Sequence, residues 1–220
     1  AGASSLDLAD YADEIVRSGF PAIRRFEGRL LRAQLDGYLD RLVERDFEEL
    51  GHVVRNAGAL RRWLTAFGAA TSTVASYDVI RDAASAGEAQ KPAKSTTIPY
   101  RSTLERLWMI DQVPAWSPTR NRLRRLGASP VHQLADPALA VRLLGLDADA
   151  LVGGADGSAR IPRDGSLFGS MFESLVTQSV RVYAQANEAN VSHLRTRGGE
   201  REIDLIVERL GIHATADVID

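Results

Sequence analysis

Between Glu27 and Leu50 the apolar residues Leu30, Leu31, Leu35, Tyr38, Leu39, Leu42, Val43, Phe47 and Leu50 recur at helical spacing, with charged residues on the other side. A stripe of this length makes one face of an amphipathic helix, and that face has to be buried against other elements. The chain is therefore expected to build its core chiefly from packed helices. Ala, Leu and Arg are abundant and aromatics form only 6% of the residues, which favours helix further. A break at "SGFPAI" divides the first fifty residues, since Gly19 ends one helix and Pro21 cannot continue it.

Residues 57–135 read as a second unit. Leu60, Trp63, Leu64 and Phe67 mark one helix, and Ser72 or Thr73 is placed to cap the next. The polar stretch "SAGEAQKPAKS" then leads to "TTIPYRSTLERLWMI", where Pro99 is expected in the first helical turn and Leu104, Leu107 and Ile110 inward. Two short extended stretches, "QVPAW" and "PVHQLADPAL", follow. Three helices and two strands in this order are the order of a winged helix-turn-helix.

Charge sets this region apart. Residues 91–125 hold eight cations against Glu105 and Asp111, a net +6 that leaves −8 for the rest of a chain whose total is −2. Lys94, Arg101, Arg106, Arg120, Arg122, Arg124 and Arg125 are the candidate DNA-binding residues, because a winged helix meets DNA through its third helix and its wing. A solvated arginine-rich loop or a protein contact is the competing reading of the same charges.

Residues 136–164 open with a helix capped by Asp136, with Pro137 at its first position, and pass into the glycine-rich connection "GGADGSARIPRDG". From Gly165 a second strong stripe runs through Phe168, Met171, Phe172, Leu175, Val176, Val180 and Tyr183, with Glu173 at its edge. Ile203, Leu205 and Val207 then alternate with Glu202, Asp204 and Glu208 as a half-buried strand, and Asp217 begins another. The expected architecture is mainly α with a smaller α+β end. It comprises a helical region (1–56), a winged helix-turn-helix (57–135), a helix and linker (136–164) and a partial αββ unit (165–220).

The series "SGFPAI", "YLDRLVERDFEEL", "TLERLWMIDQVPAW", "HQLADPALA", "GSLFGSMFESLV" and "REIDLIVE" resembles the C-terminal half of a family of prokaryotic AAA-type ATPases. That half looks like a helical lid, a winged helix and a restriction-endonuclease-like end domain of unknown function. The resemblance implies that Glu173, Asp204 and Asp217 correspond to the acids of the nuclease core, where they would hold Mg²⁺. Ile219 stands where that pattern has lysine. No lysine follows position 94, so only an arginine such as Arg195, Arg197 or Arg201 could replace it, and imperfectly. The site is expected to be degenerate: metal binding without efficient cutting.

No G-x-x-x-x-G-K-[ST] occurs, so ATP is expected only in an upstream part that this sequence, lacking an initiator methionine, does not contain. The absence of cysteine and of any long apolar run points to a cytoplasmic protein with no membrane partner. The leading expectation is a non-catalytic, nucleic-acid-binding or regulatory region of such an ATPase. The alternative is an assembly module that contacts its own ATPase half or other subunits, and an active nuclease comes third.

Overall fold

The computed structural model describes residues 5–86, 92–116, 129–153, 165–195, 202–209 and 216–219. The chain is mainly helical, with a small antiparallel sheet at its C-terminal end.

Helix α1 (Leu8–Arg17) begins in a reciprocal cap: the Asp7 carboxylate accepts from the amides of Ala9 and Asp10, while the Asp10 carboxylate accepts from the Asp7 amide. "SGFPAI" forms the expected break, with Ser18 in left-handed backbone (φ 71°) and Pro21 at the first position of the short α2 (Pro21–Arg24). Helix α3 (Gly28–Arg41) carries the long stripe, which continues through a π turn (Leu42–Asp46) into α4 (Phe47–Glu49). Leu31, Leu35, Leu39, Val43 and Phe47 are all buried. Residues four apart drift by about 40° per step on an α-helix. The wider π turn takes up part of that drift and keeps Val43 and Phe47 on the core side. Leu30 falls off the stripe and is 60% exposed.

Helices α5 (Ala57–Ala69), α6 (Tyr77–Ala83) and α7 (Lys94–Arg106) follow. Two local expectations need correction here. The cap of α6 is Ser76, whose hydroxyl accepts from the Val79 amide; Ser72 and Thr73 instead bond to the carbonyls of Ser170 and Ala70. Helix α7 starts five residues before Pro99, so the proline lies inside the helix rather than in its first turn. The two extended stretches after α7 do pair with each other, through antiparallel bridges between Ile110 and Leu134 and between Val113 and Val131.

Helix α8 (Pro137–Leu143) lies at the centre of the molecule. Ala138, Leu139, Ala140 and Val141 are each at most 2% exposed, and the helix touches α1, α3, α5 and the long C-terminal helix α10 (Gly165–Ala186). Small residues permit this crowding: a Cβ built on Gly68 of α5 would lie 3.4 Å from the Ala140 Cα. A short α9 (Ala148–Gly153) packs on α1. The main core runs from Ala12 to Met171.

Beyond it α10 covers a three-stranded sheet, β1 (Ala189–Arg195), β2 (Glu202–Arg209) and β3 (Ala216–Ile219), ordered β1-β2-β3 with both pairs antiparallel. Leu205 of β2 packs with Val113 and Val131 beneath it, joined at the margin by Val176, Val180 and Val191. Strand β1 has no counterpart in the sequence reading. The α10 stripe also ends earlier than expected, since Tyr183 is 70% exposed.

Candidate functional site

The basic residues of α7 are partly engaged within the chain. Lys94 Nζ donates to Asp78 at 2.9 Å, and Arg101 Nε donates to Glu105 at 2.7 Å while its guanidinium lies 4.3 Å from the Tyr77 ring centre. Burial pushes the Tyr77 phenol up to about 12, and Gln112 donates to its oxygen. Arg106 is exposed. Arg120, Arg122, Arg124 and Arg125 fall in 117–128, outside the described residues, between the two stretches joined by the 110/134 and 113/131 bridges.

The acidic group lies where α10 meets the sheet. Glu173 is half-buried on α10, and its carboxyl is pushed up to about 7, first by burial and then by the charges of Asp204 and Glu202. Arg195 at the end of β1 opposes that shift and pairs with Glu202 at 3.4 Å. Of the three arginines able to replace a lysine, Arg195 is thus brought to the acids; Arg197 and Arg201 lie outside the described residues.

A local irregularity sets the position of Asp204. Ser192 pairs with Ile206 and Leu194 with Ile203, so Asp204 and Leu205 together oppose the single residue His193. Such a bulge re-aims side chains and raises the local twist. His193 is buried, its Nε2–H donating to the Ser129 carbonyl at 3.1 Å, and burial lowers its pKa.

Asp217 does not stand beside Asp204. It pairs with Val207, three positions along β2, which is about 10 Å of strand rise. In the backbone register the two strand acids are therefore offset, and the acid whose charge acts on Glu173 is Asp204. Among the described residues no three His, Asp or Glu side chains gather closely enough to hold a metal ion. With a carboxyl near 7 beside an arginine, the group is suited to taking up and releasing a proton near neutral pH.

Sequence reading missed Glu202 and His193 as members of this group. Glu202 was legible only as a polar strand position, and the bulge that aligns His193 leaves no local trace. Among the described residues no helix is long and apolar enough to cross a membrane.

Residues 8–150 match the model of a family described as a domain of unknown function (DUF8612). No curated protein and no solved structure matches the chain. The match spans α1 to α8 and ends within α9, so α10 and the sheet lie beyond it.

Proposed function

We propose that this chain, which belongs to the DUF8612 family, is a non-catalytic nucleic-acid-binding or regulatory region whose residues 57–135 act as a winged helix on DNA. The observation that carries this reading is the antiparallel pairing of Ile110 with Leu134 and Val113 with Val131 directly after α5, α6 and α7. Residues 117–128, which lie between these bridged stretches in sequence, carry four arginines, and a wing would present such residues to DNA. The ion pairs of Lys94 and Arg101 do not oppose the reading. Surface pairs contribute only about 0–1 kcal/mol each, so phosphates can displace them. The resemblance to AAA-type ATPases supports a role beside a nucleotide-driven motor, with the nucleotide held by other residues.

Binding of a labelled duplex, followed by fluorescence anisotropy across a salt series, tests this. Affinity should fall linearly in log salt, by about 0.9 per phosphate contact. Arg122→Ala with Arg124→Ala should flatten the slope by roughly two units. An unchanged slope assigns the arginines to a protein partner instead. Val79 and Ile98, 59% and 64% exposed on α6 and α7, favour that second reading.

The acidic group enters this proposal as a degenerate remnant rather than a nuclease centre. Plasmid DNA incubated with the protein and Mg²⁺ should stay uncut, and divalent-dependent nicking that Asp204→Ala removes would refute the assignment.

A further inference from the structure

The C-terminal unit holds the two paired stretches that follow α7. Val113 and Val131, 1% and 6% exposed, pack against Leu205 of β2, with Val176 and Val180 of α10 at the margin. Arg181 of α10 donates to the carbonyls of Asp111 and Gln112 at 3.0 and 3.2 Å. Gln178 Nε2, on the same helix, donates to the Ala135 carbonyl at 3.0 Å. These bonds fix the ends of the stretches that adjoin α7 and α8.

At the opposite ends a single residue makes the connection. The His193 amide donates to the Pro114 carbonyl at 3.0 Å, and the His193 carbonyl accepts from the Trp116 amide at 2.6 Å. Its ring reaches the other stretch. The Ser129 carbonyl can only accept, so Nε2 carries the proton and donates to it at 3.1 Å. Trp116 and Ser129 are the described residues on either side of 117–128. His193 sits in the β1 bulge, which re-aims its side chain, and is 3% exposed. A donor buried in this way has no water to turn to, which keeps the contact made.

We propose that His193 is the positioning residue of the arginine segment: it fastens Trp116 and Ser129 to one point of the C-terminal sheet, and so fixes where the chain between them starts and ends. The consequence for DNA rests on the winged-helix reading above; the fastening itself does not. It gives α10 and β1, which lie beyond the family match, the task of bracing the paired stretches.

Limited trypsin digestion followed by mass spectrometry reads the fastening without DNA. His193→Ala keeps both backbone bonds and removes the ring's donor. Cutting after Arg120, Arg122, Arg124 and Arg125 should then be about 3–10-fold faster than in the wild type, the worth of one hydrogen bond in local opening. Cutting after Arg61 of α5 should not change. His193→Gln, whose amide can still donate, should restore most of the wild-type rate. If His193→Ala also speeds cutting after Arg61, His193→Leu, which fills more of the ring's space without a donor, takes its place.

Binding of a labelled duplex reads the consequence. His193→Ala should weaken it by about 3–10-fold, again one hydrogen bond. The same change should add nothing in a chain that already carries Arg122→Ala and Arg124→Ala, because the effect runs through those arginines. Faster cutting in a protein that binds no duplex would keep the role of His193 and remove the DNA reading. Unchanged cutting, or an equal loss of binding with and without the two arginines, would overturn the proposal.

Discussion

Replacing Asp136 with Ala is expected to destabilise the protein by about 3–5 kcal/mol, enough to lower its melting temperature by roughly 10 °C. The residue is fully buried and its carboxylate accepts three hydrogen bonds. Oδ1 takes the Ala138 amide at 2.9 Å, and Oδ2 takes the Ser18 hydroxyl at 2.6 Å and the Gly19 amide at 2.7 Å. Loss of the helix cap accounts for about 1 kcal/mol. The rest comes from the Ser18 and Gly19 donors, left buried without an acceptor at about 1–3 kcal/mol each. Asp136→Asn, which keeps one carbonyl oxygen, should cost about half as much. Thermal and urea unfolding measure both variants, and a loss below about 1 kcal/mol for Ala would show that these bonds do not hold α1 to α8. Gly19 belongs to the same contact: a Cβ there would come within 2.7 Å of Gln178 Nε2, which itself donates to the Ala135 carbonyl.

Glu173→Gln should stabilise the protein at pH 8 by about 2–3 kcal/mol and remove the decline in stability that this carboxyl causes between about pH 4.5 and 7. The unfolded carboxyl titrates at its ordinary 4.5 and the folded one at about 7. Between those values the folded state holds the extra proton, so wild-type stability declines as pH rises from about 4.5 to 7 and levels off above. Each pKa unit corresponds to about 1.4 kcal/mol, and the partial exposure of Glu173 places the effect at the lower end of that conversion. Gln is uncharged throughout and should remove this decline, leaving only the dependence due to other groups such as the buried His193. Added salt should recover the part due to Asp204 and Glu202, because salt screens charge repulsion, and leave the part due to burial. A wild-type profile that is flat over this range, or a decline that persists in Glu173→Gln, would show that the carboxyl ionises normally in the fold.

Much of the helical framework was written locally. A stripe such as Leu31–Leu35–Leu39 needs only the period of the helix to be read, and Asp136 before Pro137 announces a helix start by its own chemistry. The alternation from Glu202 to Glu208 marked a strand for the same reason. Where such signals compete over a few residues, sequence reading slipped. Ser72, Thr73 and Ser76 are equivalent as caps until the path of the backbone selects Ser76, and Pro99 hid the five helical residues before it.

The candidate site was legible as residue types but not as an arrangement. Glu173 and Asp204 could be singled out in the chain, yet nothing local shows that α10 brings Glu173 within the field of Asp204 and Glu202, or that Arg195 pairs with Glu202. Nor does the sequence reveal that a bulge opposite His193 positions Asp204, or that Asp217 pairs with Val207. Strand β1 is another such case: "ANVSHLR" has weak alternation and becomes a strand because β2 on one side and Pro114–Trp116 on the other satisfy its backbone. Periodicity and capping involve neighbours within about four residues, and those the chain determines by itself. Register, burial and the meeting of Ser18 with Asp136, 118 positions apart, were decided only when the helices packed, because desolvation and long-range pairing depend on what lies across the core.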